Sequence, residues 1–248
     1  MAKKNLSFVG LADIYMKKYD AAAPARYVGS VSACNIQHEE ENLRQRNFGR
    51  EGGTLNTVSR LDQVNVGITF QSLSIENLAR VLRGGVTDVA ADSVTEEPHT
   101  AYLGALVRTE HMNIENVVVT DDTSTTTFVE GDDYRVTGAG IVILEAGSIT
   151  EAQAILVSYD YTAQQVVEAF TEGQQEYGLY FDGINEADNN RNVVVDIHRL
   201  KLGLPEQLDL IGEGFITMVT TGEALLDPNQ VGAGTSKFYR WIYPSAAA

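Results

Sequence analysis

The run Tyr27-Val-Gly-Ser-Val-Ser-Ala-Cys-Asn-Ile36 continues through the charged stretch His38 to Arg46 and faces a second β-patterned run from about Leu55 to Leu73. The polar turn Asn47-Phe-Gly-Arg-Glu-Gly-Gly-Thr54 lies between them, and Ser74-Ile-Glu-Asn-Leu-Ala-Arg-Val-Leu-Arg-Gly84 closes the unit. Most strands are about five or six residues long, so this pair is unusual. Long strands with one wet face suit a wall or a tube better than a compact enzyme core.

The alternation is cleanest in the second run. Val64, Val66, Ile68 and Phe70 share one face, and Gln63, Asn65, Thr69 and Gln71 the other. A period of two predicts the first set in the core and the second in water. After it, Ser74 is a good N-cap, Glu76 sits in the first turn, and Gly84 is placed to stop the helix. Ile75, Leu78, Ala79 and Leu82 recur at helical spacing, which predicts a short amphipathic helix laid on a sheet.

Further out, Leu6 to Tyr19 reads as a first strand and Ala21 to Ala25 as a loop. Residues 113–162 read as short strands between polar turns, an inserted lobe of hairpins within a single domain spanning 1–248. The window Ala163 to Glu172 has weak helical character, left ambiguous by the β-branched pair Val166-Val167. Tyr177 to Ile184 and Asn192 to Leu202 form a predicted hairpin. Gly214 to Leu226 reads as a last long strand, and Phe238-Tyr-Arg-Trp-Ile-Tyr243 as an aromatic terminal segment. The expected class is mainly β with one short α-helix.

Composition narrows the function. Against 34 acidic residues stand 18 basic ones, a net charge of −16. Proteins that grip phosphate backbones need basic surface, so tight nucleic-acid binding is excluded. DNA sliding past without sticking remains compatible. No run of about 18 apolar residues marks a membrane helix. The single cysteine, Cys34, has no partner for an intrachain disulfide and reads as a packing residue.

Catalytic patterns are missing. There is no Gly-x-Ser-x-Gly, no phosphate loop, and Gly138-Ala-Gly140 lacks the third glycine and following helix of a dinucleotide site. His38, His99, His111 and His198 show no metal spacing. Asp182-Gly-Ile-Asn-Glu-Ala-Asp-Asn-Asn190 is rich in oxygen ligands, but it breaks the EF-hand pattern, and such residues also make ordinary turns. No cofactor, metal or catalytic residue is expected, and the chain is not expected to be an enzyme. The run Glu39-Glu-Glu-Asn-Leu-Arg-Gln-Arg46 separates acid from base along one element. It is either a solvated charge run or a surface that meets a copy of itself.

The order of elements resembles the tail tube (major tail) proteins of long-tailed bacteriophages. Gly10-Leu-Ala-Asp-Ile-Tyr15, Val28-Gly-Ser-Val-Ser32, Gly52-Gly-Thr54 entering Val58 to Phe70, and Ser74 to Ala79 carry the resemblance in the first half. Tyr180 to Asn185, Val193 to Leu200 and the strand ending Leu225-Leu-Asp227 carry it in the second; residues 113–162 match least. The resemblance implies a tail-tube-type β-sandwich whose inner sheet joins a ring-wide β-barrel, in hexameric rings stacked head to tail. It implies as partners the chain itself, a tape-measure protein, tail terminator and distal tail or baseplate proteins, and double-stranded DNA passing without tight binding. The place implied is the virion tail, assembled in the host bacterial cytoplasm, with no membrane contact.

On that resemblance Gln63, Asn65, Thr69 and Gln71 are candidate lumen residues. Glu39, Glu40, Glu41, Arg44, Arg46, Phe48, Arg50 and Glu51 are candidate ring-to-ring or subunit contacts. The overall acidity would repel phosphates from the lumen wall. Two other expectations stay open: a tube protein of a contractile injection or type VI secretion system, and a β-sandwich adhesion or glycan-binding module using Tyr239, Trp241 and Tyr243.

Overall fold

The computed structural model describes residues 7–19 and 22–244. Leu6 of the expected first strand and Ala21 of the expected loop lie outside these. In chain order the strands are β1 (Gly10–Lys18), β2 (Arg26–Tyr27), β3 (Val31–Arg46) and β4 (Thr54–Phe70), then helix α1 (Ile75–Leu82) and β5 (Gly85–Val89). There follow β6 (Asp92–Ala101), β7 (Leu106–Arg108), β8 (Ile114–Asp121), β9 (Thr127–Phe128), β10 (Tyr134–Thr137), β11 (Gly140–Ile143) and β12 (Gln153–Tyr161). The chain ends with β13 (Gln164–Glu168), β14 (Glu176–Asn185), β15 (Arg191–Leu202), β16 (Met218–Ala224) and β17 (Tyr239–Ile242). Among the described residues 54% are strand and 5% helical, so the protein is mainly β, and none of the sheets they form closes into a barrel.

Two compact units result. The first comprises residues 1–86 and 167–248, the second residues 87–166. The lobe expected at 113–162 is therefore part of a larger unit that already includes β6 and β7. The reason is pairing: β6 is the ladder partner of β12, so it belongs with the strands that follow it.

The first unit is built on one sheet in the order β2-β1-β14-β15-β16-β4-β3, with β17 also pairing β15. Its core gathers Val64, Val66, Ile68 and Phe70 of β4 with Ile14 and Met16 of β1, Leu179 of β14, and Ile197, Leu200 and Leu202 of β15. The predicted alternation in β4 holds at all four positions. In β15 the inward residues change parity, because the β14 ladder slips between Tyr177 and Leu179. That bulge keeps Leu200 and Leu202 on the core side, where strict alternation would have turned them outward.

Helix α1 is capped as expected at its start: Ser74 Oγ accepts the Asn77 N–H at 3.2 Å. At its end the left-handed position falls on Arg83 (φ 52°), not on Gly84. Gly84 is needed for a different reason, since a Cβ there would sit 2.7 Å from the carbonyl oxygen of Glu168. Val81 enters the core. Asn77, fully buried, donates to the carbonyls of Val28 and Ser72 and ties the helix to the chain leading into β3.

Three expected elements differ. The long strand expected from Tyr27 starts only at Val31: the strand is interrupted at 28–30, where Gly29 takes φ 82°, and Tyr27 pairs with Tyr15 in β2. The window Ala163 to Glu172 is strand over Gln164–Glu168, pairing β5, so the β-branched pair prevails over the helical pattern. The last long strand begins only at Met218, where pairing with Phe70 of β4 starts. Residues 214–217 have no such partner.

The second unit has a four-stranded sheet, β6-β12-β8-β9, and a three-stranded one, β10-β11-β7. Both supply one core, including Val107, Val119, Tyr134, Ile141, Ile143, Ile155, Val157 and Tyr159. Asp133 is buried in it, its carboxylate accepting the backbone N–H groups of Ser148 and Val129. Those bonds hold its pKa below the usual carboxylate value. A depressed folded-state pKa adds stability that is present above about pH 4 and lost as pH falls through the folded value. Asp133→Asn should therefore lower stability at pH 7 by about 1–3 kcal/mol and flatten the loss of stability below about pH 4, as read by chemical denaturation across pH.

Candidate assembly surface

The β3–β4 ladder outlasts the core it is attached to. Up to the Glu39–Gln63 pair, β4 alternates buried and half-buried residues, and Asn65 to Phe70 also pair with β16. Beyond it the two strands pair only with each other. From Glu39 through Gln63 no residue is buried and only Asn47 is half-buried. At about 3.3 Å per residue, the eight residues Glu39 to Arg46 carry this ribbon roughly 25 Å. The tip closes with Gly52 N–H to Gly49 O and Asn47 N–H to Gly53 O. Gly52 (φ 64°) and Gly53 (φ 91°) take the left-handed conformations the turn needs.

A bulge sets which side chains share a face. Asp62 is an extra residue between the Glu39–Gln63 and Glu40–Leu61 pairs. Leu61 thus falls on the same side as Val64, while Glu41–Arg60 and Leu43–Val58 follow Glu39 on the other. The ribbon carries apolar groups on both faces: Leu61 is 47% exposed, Leu43 44% and Val58 46%, and Phe48 at the tip 94%. An isolated two-stranded ribbon is marginal in water, and exposed apolar faces mark surfaces awaiting a partner.

The eight candidate contact residues all lie on this ribbon and all are exposed. The acids Glu39, Glu40, Glu41 and Asp62 sit at its base. Arg44, Arg46 and Arg50 with Glu51 sit toward the tip. Among the described residues none of these charges is in an ion pair; Glu39 accepts a hydrogen bond from Asn65 Nδ2 at 2.9 Å.

The candidate lumen residues share the face of β4 turned away from the core. Ladder register extends that face sideways: Ala33–Thr69–Val219, Asn35–Gly67–Thr221 and Gln37–Asn65–Glu223. Gln71 lies just past β4 and is bonded to Ser30 through its N–H and its Oε1. Around Asn65, Gly67 and Thr69 the face is uncharged; at its margins register places Glu39 beside Gln63, Glu223 opposite Lys201 of β15, and Glu41 opposite Arg60. The overall acidity is located elsewhere: 14 of the 34 acidic residues and only Arg108 and Arg135 of the basic ones lie in residues 87–166. That unit carries −12 and the rest of the chain −4, so the whole-chain charge does not describe the wall. Its few charged residues do.

The remaining candidates have structural employment. The oxygen-rich stretch 182–190 is the end of β14 and the tight turn after it: Asn185 Oδ1 accepts from Val9 N and Ala187 N, and Asp188 pairs with Arg191 at 3.3 Å. Asn189 and Asn190 take its left-handed positions. Among the described residues no group of three His, Cys, Asp or Glu could hold a metal. Cys34 is half-buried and burial pushes its thiol up to about 11, which suits a packing role. The terminal aromatics tie strands together. Trp241 packs edge-on against Phe8 (centroids 5.7 Å apart), Tyr239 Oη lies 3.1 Å from His38 Nε2, and Tyr243 Oη donates to Asp188. Sequence reasoning missed the open strand edges. β3 borders the sheet along its whole length, and at the other border β2 covers only Tyr15 and Met16 of β1.

A family described as "Protein of unknown function UCP028589" matches residues 7–242. The chain belongs to that family. No curated protein matches it. The match spans both units.

The ribbon adds nothing to the core, so Leu43→Thr with Val58→Thr should change folding stability by no more than about 0.5 kcal/mol, whereas Ile68→Ala should cost about 2–5 kcal/mol. Urea denaturation of the dilute chain measures both.

Proposed function

We propose that this protein is a structural subunit of a tube of the phage-tail type. Copies join edge to edge into hexameric rings, and rings stack head to tail into a conduit for a viral genome. The observation that carries this reading is the ribbon: a ladder continued past its core, apolar on both faces, attached to a sheet with two open edges. Open edges in a stable protein are usually blunted, covered or paired. Pairing with further copies removes them and buries the ribbon at the same time.

The uncharged face around Asn65 and Thr69 suits the lumen wall in this reading. Its centre offers phosphates no cation to hold, and the cations at its margins, Lys201 and Arg60, each stand opposite a carboxylate, Glu223 and Glu41, with Glu39 adding the repelling sign. A tape-measure protein would fill the tube before DNA passes, and terminator and distal tail proteins would cap its ends. α1 braces the sheet behind the wall.

Negative-stain microscopy of the concentrated chain should show tubes or six-fold rings. Reversing Glu39, Glu40 and Glu41 to lysine should abolish them while circular dichroism stays unchanged. Normal tubes from that variant would remove the acidic base of the ribbon from the interface, and monodisperse monomers of the unaltered chain at every concentration would overturn the reading itself.

A further inference from the structure

The ribbon tip needs a receptor, and the first unit carries a surface of the opposite sign. A groove of about 750 Å³ lies between β1 and the start of β3. Its two walls are strand edges: Gly10 to Asp13 of β1, which β2 leaves uncovered, and the outer edge of β3. The lining includes two carboxylates, Asp13 and Asp182, and no lysine, arginine or histidine. Exposed Leu11 and Tyr27 add apolar surface.

Asp13 and Asp182 stand directly opposite each other in the β1–β14 ladder. Both are exposed, and among the described residues neither side chain has a hydrogen bond or an ion pair. Like charges directly opposed across a ladder destabilise it, and a cation placed between them removes that cost. The tip offers such cations: Arg46 and Arg50 flank Phe48, and among the described residues neither arginine is in an ion pair.

We propose that the ribbon tip of one copy docks in the Asp13–Asp182 groove of the next, with Arg46 and Arg50 against the two carboxylates and Phe48 against Leu11 and Tyr27. The proposal rests on the self-assembly reading above. Planar guanidinium groups meet carboxylates in two-pronged geometry, so the contact is directional. Donor and receptor are different surfaces of one chain, so the contact is heterologous and propagates from copy to copy.

Sedimentation velocity over a concentration series tests it. Arg46→Glu with Arg50→Glu, or Asp13→Lys with Asp182→Lys, should each raise the assembly threshold by about tenfold or more. The two variants mixed should assemble alternately, because each supplies the charge the other's site now needs; this also shows that both are folded. Should the lysines unfold the chain, Asp13→Asn with Asp182→Asn removes the charge and the like-charge opposition together, and must still raise the threshold. An unchanged threshold for the groove variants, or a mixture that stays dispersed, overturns the docking and leaves self-assembly standing. Failure of the unaltered chain to assemble at any concentration overturns both.

Discussion

Everything distinctive in this structure depends on one constraint: the β3–β4 ladder is longer than the core that supports it. Backbone pairing alone gives little stability to two strands in water. In the proximal part the deficit is made up by burial, as Val64, Val66, Ile68 and Phe70 pack against Ile14, Met16 and Leu179. Each such side chain contributes about 1.5–3 kcal/mol. Past Gln63 that contribution stops, yet the register continues for seven more residue pairs, Glu40–Leu61 through Arg46–Thr54. A segment held in register without a core of its own is organised for contact with something else.

The charge distribution follows the same division of labour. The 87–166 unit concentrates most of the negative charge and has almost no cations to offset it. Several of its carboxylates accept from backbone and hydroxyl donors instead, as at Asp121, where partial desolvation is outweighed by the Thr125 and Thr126 N–H groups, which keep the pKa low. Such a unit favours solubility. The first unit is nearly balanced, with the acids mostly at the base of the ribbon, where Arg60 opposes Glu41, and Arg44, Arg46 and Arg50 toward its tip, which suits directed contact between copies.

Much of the fold was legible in the sequence because strict alternation and capping are local signals. The core face of β4, the β14–β15 hairpin and the Ser74 cap follow from residue types and spacing. What was not legible depends on pairing partners. The extra residue Asp62 exchanges the faces of everything beyond it, and no residue pattern announces it. Arg83 takes the left-handed position because Gly84 is reserved for close approach to Glu168. Gln164 to Glu168 became strand because β5 was there to receive it. At the candidate surface, the exposed charges and Phe48 could be named from the sequence. The opposition of Asp13 and Asp182 could not, since it joins residues 169 positions apart through the β1–β14 register.

The central claim is that the ribbon finds its missing burial on another copy. Hydrogen–deuterium exchange of residues 39–46 and 54–63, compared between dilute and concentrated chain, tests it most directly. The account predicts fast exchange in the dilute chain and at least about tenfold slower exchange in the ribbon on concentration, with the proximal residues 64–70 slow in both. Equally fast exchange of the ribbon inside assembled particles would contradict it.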